Sequence, residues 1–211
     1  MDLLIGPVFP MQRQAGHELP VMVCSFPQPM RSASSAPHGG GVGPRRWVLN
    51  AQVPSGYGRL DPDDHVSEMA MSLGLEGEGV GMLTAVDVRS ATTAVDGGAR
   101  VIATVGLGSP TLAAAPWEDT EASLVGTINL VVAVPERLSD AALVNAVATA
   151  TEAKAQALWD LGLRATGTAT DAVCVLSPEV GRPSAFGGPR SVWGSRIARA
   201  VHAAVVVGGR E

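Results

Sequence analysis

Two apolar segments in the second half of the chain each begin with glycine, hydroxyl-bearing residues and an amide or carboxylate. The first is Gly126-Thr-Ile-Asn129, which leads into apolar residues 130–134, and the second is Ala165-Thr-Gly-Thr-Ala-Thr-Asp171, which leads into residues 172–176. Between them, residues 139–163 carry the strongest helical pattern of the chain, with Ser139 as the predicted N-cap. This strand–helix–strand order predicts an α/β fold in which both strands share one sheet and the helix packs on it.

The composition is that of one globular domain covering residues 1–211. Hydrophobic residues make up 46% of the 211 residues and charged residues 17%. The net charge of −5, without a basic stripe, argues against nucleic acid as a partner. No apolar run reaches the roughly 18 residues that a membrane helix needs, and no signal-peptide pattern is present. Cys24 and Cys174 lie in apolar runs without CxxC spacing, which predicts buried thiols in a cytoplasmic protein.

The remaining segments fit the same α/β class. Residues 62–75 and 192–207 have helical patterns, the first with Asp61 as the predicted N-cap. Residues 31–44 and 109–121 are predicted to be loops because they are rich in serine, glycine and proline. Apolar and β-branched composition predicts five further strands, at residues 3–8, 19–26, 47–53, 79–86 and 99–105.

A lysine lies on the apolar face of the long predicted helix. Lys154 shares helical spacing with apolar residues that include Leu143, Val147 and Leu158. One interpretation is a side chain whose stem packs against the core while its ammonium reaches water. The other is a buried ammonium that polarises a carbonyl or fixes a carboxylate. Glu152, two residues earlier, faces another way and is the weaker site candidate.

The threonines at the two strand starts lie in pairs that share a side. Thr127 and Asn129 point to one side of their strand, and Thr168 and Thr170 likewise share a side, because strand side chains alternate. Threonine is also common in strands and turns for structural reasons. Asp171 is a candidate for a general base, for orienting a hydroxyl, or for capping a turn. We predict that these five residues and Lys154 converge on one pocket.

Other polar motifs are weaker. The Ser- and Gly-rich segment 31–43 suits either a ligand-binding backbone or a flexible surface loop, and it lacks the Gly-Lys-Thr ending of a nucleotide-binding loop. Its one histidine, His38, is expected to be solvated. None of the four histidines has metal-ligand spacing, so no metal site is predicted. Gly106-Leu-Gly-Ser109, after a predicted strand, has the composition of a ligand-binding turn.

Several of these motifs, in the same order, resemble those of the adenosylcobinamide amidohydrolase family. The resemblance runs from about Arg31 to Val201. It rests on Arg31-Ser-Ala-Ser-Ser-Ala36 with Gly39-Gly40, on Asn50, Val80-Gly-Met-Leu-Thr-Ala85, Gly126-Thr-Ile-Asn129, Thr149-Ala-Thr-Glu-Ala-Lys154 and Gly167-Thr-Ala-Thr-Asp171. Two positions depart from the family pattern: Ser109 stands where an asparagine is expected, and Ala169 stands where a second glycine is expected.

The resemblance implies hydrolysis of the amide that joins the aminopropanol arm of adenosylcobinamide to the corrin ring. Adenosylcobyric acid would be the product, which re-enters cobalamin synthesis. The implied partner is this corrinoid substrate, without a separate cofactor, and the oligomeric state, including a homo-oligomer, stays open. The matching positions implied for catalysis are Thr127, Asp171 and Lys154, and those implied for substrate binding are Asn129, Thr168, Thr170, Thr84, Asn50, Ser35, Gly39 and Gly40.

A second resemblance concerns mechanism and layering. The nucleophile region of self-processing aminopeptidases, which are related in fold to ornithine acetyltransferase, is similar to one part of this chain. That part comprises Gly126-Thr127, the strand after it, the long helix and the Gly-Thr-x-Thr-Asp start of the second strand. That likeness implies an α-β-β-α sandwich and makes Thr127 a nucleophile freed by autocleavage. Two other hypotheses stay open at this point: a non-catalytic corrinoid-binding module, and an interaction domain whose Thr-Gly motifs are structural turns.

Overall fold

The computed structural model describes residues 6–116 and 126–210, which form a mixed α/β domain. A short 3-10 helix, Val88–Ser90, follows the fourth strand. The three helices of the described residues are α1 (Pro62–Ser72), α2 (Asp140–Asp160) and α3 (Val192–Gly208). The strands of these residues are β1 (Met11–Gln14), β2 (His17–Ser34), β3 (Gly41–Gln52), β4 (Gly79–Thr84), β5 (Thr92–Asp96), β6 (Ala99–Val105), β7 (Ile128–Ala133) and β8 (Ala172–Pro178).

All the strands belong to one mixed sheet with the order β4-β3-β2-β8-β7-β6-β5, and β1 pairs with β2. The β3–β4 and β7–β8 pairs are parallel and the other neighbours are antiparallel. As predicted, the strands that follow Thr127 and Asp171 lie in one sheet. They are parallel neighbours, and α2 is the crossover that such a pair requires. Strand β2 joins the two halves of the sheet, because it pairs with β3 along its length and with β8 only near its end.

The sheet folds back so that its two halves face each other. A register shift between Ser25 and Met30 marks the irregularity in β2. One buried cluster combines side chains of β2, β3 and β4, such as Met22 and Met82, with side chains of β6, β7 and β8, such as Val131. A second cluster packs α1 on the outer face of β2 and β3, and a third packs α2 and α3 on β6, β7 and β8. The layers therefore follow an α-β-β-α order, built from one folded sheet.

Helix α2 buries the stripe that the sequence predicts. Leu143, Ala150, Lys154 and Leu158 are buried, whereas Val147 of the predicted stripe is only half-buried. The cap prediction is also confirmed, because Ser139 Oγ accepts a hydrogen bond from Ala142 N at 3.1 Å.

We expect Ser139→Ala to lower the free energy of unfolding by about 1 kcal/mol, because one amide of the first turn of α2 loses its acceptor. Urea denaturation of both proteins measures this difference. Thr151→Ala is the matched control in the same helix, since Thr151 is exposed and its hydroxyl only bonds back to Val147 O. Equal losses in the two variants would show that the cap contributes nothing specific.

The structure corrects several local predictions. Residues 31–44 are not one loop, because β2 extends to Ser34 and β3 begins at Gly41. Asp61 makes no side-chain cap for α1, since its carboxylate pairs with Arg59 instead. The predicted strand at 79–86 ends at Thr84. Strands β1 and β5 were not predicted. Residues 3–5 and 117–121 of two predicted segments lie outside the described residues.

Candidate functional site

Several polar residues meet at the edge of the sheet where β3, β4 and β6 end and β7 and β8 begin. Asn129 stands opposite Thr104 of β6 and Ala172 of β8 in the ladder. In β7, Val131 and Ala133 face the space between the sheet halves, while Ile128 and Leu130 face the helices. Alternation therefore places Asn129, and Thr127 before it, on the side between the halves.

A buried chain of hydrogen bonds links the two halves of the sheet at this edge. Asn50 Nδ2 donates to Thr104 Oγ1 at 3.0 Å, and Asn50 Oδ1 accepts from Asn129 Nδ2 at 2.9 Å. Asn129 Nδ2 also donates to Leu83 O at 2.9 Å. Asn50, Thr104 and Asn129 are each only 1% exposed. Strands β3, β4, β6 and β7 are thus tied together in the interior.

One atom of this chain of hydrogen bonds has no hydrogen-bond partner among the described residues. Within the described residues, the buried Oδ1 of Asn129 accepts no hydrogen bond. A buried polar atom left unpaired costs about 1–3 kcal/mol. This oxygen is therefore a candidate for contact with a ligand donor.

Thr127 lies beside this chain, and its hydroxyl pairs with that of Thr170. The two Oγ1 atoms are 2.7 Å apart, and Thr170 Oγ1 donates to Gly126 O at 3.3 Å. A hydroxyl has only one hydrogen. With the Thr170 hydrogen directed at Gly126, Thr127 is the donor in the pair, and the lone pairs of its oxygen stay available.

Two glycines allow the backbone to approach Thr127 closely. A Cβ on Gly106 would lie 2.5 Å from Val86 Cγ2, and a Cβ on Gly126 would lie 2.8 Å from Gly106 O and 3.0 Å from Ser109 N. Gly106 N also donates to Thr127 O at 2.9 Å, which continues the β6–β7 ladder. The turn after β6 thus brings backbone amides next to Gly126, and a ligand-binding role for this turn stays a prediction.

Thr84 lies at the same edge, at the end of β4. It is 2% exposed, and its Oγ1 accepts a hydrogen bond from Val86 N at 3.2 Å. Its hydroxyl thus shapes the turn that lies against Gly106.

Asp171 and Lys154 form an ion pair on the other face of β7 and β8, under α2. Asp171 Oδ2 accepts from Lys154 Nζ and from Thr168 N, the latter at 3.0 Å. Asp171 Oδ1 accepts from Ile128 N at 2.8 Å and from Thr168 Oγ1 at 2.5 Å. The lysine and aspartate side chains are only 6% and 9% exposed. Four donors surround this carboxylate, which suits a role in positioning the start of β7 better than proton transfer.

Gly167 is required next to this ion pair. A Cβ at that position would lie 2.4 Å from Asp171 Oδ2 and 2.5 Å from Lys154 Nζ. Gly167 O also accepts from Thr111 N at 2.8 Å, which fixes the 167–171 turn against residue 111. Close packing against the ion pair thus explains why a glycine stands before the second strand.

The structure brings the predicted residues together as two groups on opposite faces of the sheet. The group between the sheet halves contains Thr127, Asn129 and Thr170, joined by Asn50 and Thr84, and the group under α2 contains Lys154, Thr168 and Asp171. The hydrogen bond from Ile128 N to Asp171 connects them through the backbone. The expectation of one common pocket is therefore wrong, because successive strand residues face opposite sides.

The predicted residues of the N-terminal motif, Ser35, Gly39 and Gly40, also lie in two separate places. Ser35 Oγ accepts from Val173 N at 3.1 Å, which places it near the start of β8 and close to the site. Gly39 lies instead against the start of β4, since a Cβ there would be 1.8 Å from Gly79 O. Gly40, next to it, would place a Cβ 2.6 Å from Ala36 O. These two glycines shape the turn between β2 and β3, away from Thr127.

His38 and the two cysteines are held in structural settings. The ring of His38 stacks on Trp47, and its Nδ1 lies 2.6 Å from Asp63, so it is not a solvated loop residue as expected. Burial raises the pKa of Cys24 and that of Cys174 to about 12, so both stay protonated thiols at neutral pH. No cluster of three or more metal-ligating side chains occurs in residues 6–116 and 126–210.

A cleft of about 340 Å³ opens under α2 beside the Lys154–Asp171 pair. Of the predicted site residues, Lys154 and Thr168 line it, as does the weaker candidate Glu152, together with Thr111, Thr151 and Gly167. Thr127 does not reach this cleft, since its side chain lies between the sheet halves.

Known proteins match this chain over most of its length. A family model described as adenosylcobinamide amidohydrolase matches residues 8–211. The chain is 34% identical over 136 residues to a protein of that name from Methanosarcina mazei, covering 64% of each chain. It is 37% identical over 131 residues to one from Halobacterium salinarum, covering 59% of this chain and 55% of that one. The matched region thus spans less than two thirds of each curated relative.

A structural neighbour is more distant. The crystal structure of the PH0078 protein from Pyrococcus horikoshii OT3 covers 97% of this chain and 83% of its own, with a TM-score of 0.48 and 13% identity. At this level of likeness neither fold nor function is transferred. In the described part of the chain, α1, α2 and α3 all lack the combination of length and hydropathy that crossing a bilayer requires.

Proposed function

Because this chain belongs to the adenosylcobinamide amidohydrolase family, we propose that it hydrolyses the aminopropanol amide of adenosylcobinamide. The products are adenosylcobyric acid and free aminopropanol, and the acid re-enters cobalamin synthesis. The choice of substrate rests on the family match across residues 8–211, supported by two curated relatives of the same name. A cytoplasmic location, expected from the unpaired cysteines Cys24 and Cys174, stays a prediction.

Thr127 supplies the attacking oxygen in this proposal. Its hydroxyl donates to Thr170, which leaves an oxygen lone pair for a carbonyl carbon, and backbone amides of the turn after β6 lie next to Gly126. Such amides suit the stabilisation of charge on a carbonyl oxygen. Cys24 and Cys174 are fully buried in the hydrophobic core and stay protonated, so neither thiol competes with Thr127 as the nucleophile.

The reaction proceeds in two steps. The Thr127 oxygen forms a bond to the amide carbon, the carbon–nitrogen bond breaks, and the hydroxyl proton ends on the departing aminopropanol nitrogen. Water then attacks the resulting ester, which releases the carboxylic acid and returns a proton to Thr127. The net change is one amide and one water converted to one acid and one amine.

Lys154 and Asp171 position Thr127 rather than touch the substrate. The aspartate holds Ile128 N, the amide directly after Thr127, and the lysine neutralises its charge. Because all four contacts of the carboxylate serve the start of β7, the 167–171 turn and α2, a base role for Asp171 is less well supported.

Release of aminopropanol tests the proposal. We expect wild-type protein incubated with adenosylcobinamide to release aminopropanol over many turnovers, measured by derivatisation and mass spectrometry. Heat-denatured protein and cobalamin, in which the arm carries a nucleotide, are the controls. A protein that binds the corrinoid with micromolar affinity but releases no amine would instead be the binding module.

The intact mass of the protein distinguishes attack by an N-terminal Thr127, freed by autocleavage, from attack by an internal Thr127. Cleavage between Gly126 and Thr127 would free an α-amino group on Thr127 that can accept the hydroxyl proton. In an uncleaved active protein, the Thr127 hydroxyl would stay hydrogen-bonded to Thr170, and its proton would pass to the departing amine nitrogen. The masses of the purified chain before and after prolonged incubation distinguish one chain from two fragments.

A further inference from the structure

The orientation of the Asn129 carboxamide is fixed by its neighbours. Its Nδ2 contacts Leu83 O and Asn50 Oδ1, both at 2.9 Å. A carbonyl oxygen accepts and never donates, so a flipped amide would place two oxygens against each other at Leu83. The nitrogen therefore faces β3 and β4, and both of its hydrogens are used.

This orientation leaves Asn129 with an acceptor and no donor. With both Nδ2 hydrogens engaged, the residue cannot stabilise a developing negative charge on a carbonyl oxygen without breaking the link between the sheet halves. Its Oδ1 is buried and accepts no hydrogen bond from the described residues. The chemistry that this atom can recognise is an N–H or O–H group.

The position of Asn129 relative to Thr127 suits the nitrogen of the amide that Thr127 attacks. Two residues on one strand face are roughly 6.6–6.8 Å apart. A carbonyl carbon reacts from about 3–3.5 Å, its amide nitrogen lies about 1.33 Å further, and an N–H···O contact adds about 2.9 Å. Laid end to end, these three distances slightly exceed the spacing between Thr127 and Asn129. A bent arrangement of the substrate therefore connects the attacking oxygen to Asn129 Oδ1.

We propose that Asn129 Oδ1 accepts a hydrogen bond from the N–H of the scissile amide and so selects secondary amides over esters. This inference rests on the proposed function. The contact holds the amide with its carbonyl carbon toward Thr127 and its oxygen toward the turn after β6. Asn50 and Thr104 act through Asn129 by holding its carboxamide in place.

A comparison of amide and ester substrates tests the inference. The ester analogue of adenosylcobinamide replaces the amide N–H by oxygen and offers no donor to Asn129. We expect Asn129→Ala to lower kcat/KM for the amide roughly 10- to 100-fold more than for the ester. Ser139→Ala is the control, because it destabilises α2 without touching this buried chain of hydrogen bonds, and its effect on kcat/KM is expected to be equal for both substrates.

Equal losses for amide and ester in Asn129→Ala would overturn the inference. If that variant does not fold, wild-type protein and an N-methyl amide substrate replace it, since the methyl group removes the N–H. Hydrolysis of the N-methyl amide at the rate of the parent amide would also overturn it, and at least a tenfold slower rate is expected. Failure of wild-type protein to hydrolyse either amide or ester would contradict the proposed function instead.

Discussion

Replacing Thr127 by alanine is expected to abolish hydrolysis of adenosylcobinamide while corrinoid binding stays nearly unchanged. The hydroxyl is needed as charge develops at the carbonyl, so its loss lowers kcat by about 10⁴-fold or more. The side chain is only 3% exposed and contributes little surface to ligand contact. Steady-state release of aminopropanol gives kcat, and a spectroscopic titration with the corrinoid gives Kd.

Thr127→Ser is the matched control for this variant. Serine keeps the hydroxyl that bonds to Thr170 and loses one methyl group, so partial activity is expected. Near-normal turnover by Thr127→Ala would contradict the assignment of the nucleophile. A water activated by Asp171 would then be the next hypothesis, with Asp171→Asn as the variant to measure.

Lys154→Met is expected to lower the free energy of unfolding by about 3–5 kcal/mol, because it leaves the buried carboxylate of Asp171 without its cation. The two side chains are 6% and 9% exposed, so water cannot replace the ammonium fully. Urea denaturation measures the loss. The double variant with Asp171→Asn is expected to recover part of it, since the unpaired buried charge is then removed.

A surface ion pair provides the comparison for this effect. Arg199 and Asp96 also form a close pair, but their side chains are 60% and 30% exposed. Arg199→Met is therefore expected to lower the free energy of unfolding far less than Lys154→Met does, because water replaces an exposed partner. If Lys154→Met costs no more than Arg199→Met, the pair under α2 does not hold the start of β7 as described.

The α/β fold class was predictable because its signals are local and periodic. The apolar stripe of α2, the cap at Ser139 and the two strands around the helix follow directly from residue spacing and chain order. The same periodicity places Lys154 on the buried face of α2. Its partner Asp171 stands at the start of β8, and the strand–helix–strand order brings that strand next to α2.

The parts that were missed depend on contacts between distant segments. Strand β2 extends through the serines at 32 and 34 because β3 and β8 supply partners on both sides, which the Ser-rich composition does not reveal. Thr104 joins Asn50 across the folded sheet with no motif to mark it. The division of the site into two faces follows from side-chain alternation at residues 127–129 and 170–172. Alternation within each strand is visible in the sequence, but the faces of two neighbouring strands can be matched only once their register is known.

Hydrolysis of adenosylcobinamide in water enriched in oxygen-18 tests whether this chain cleaves the aminopropanol amide. The expected products are a carboxylic acid corrinoid that carries one labelled oxygen and an equal amount of unlabelled aminopropanol, both measured by mass spectrometry. Label in the aminopropanol, or an unchanged corrinoid after incubation with an excess of protein that binds it, would contradict amide hydrolysis by this chain.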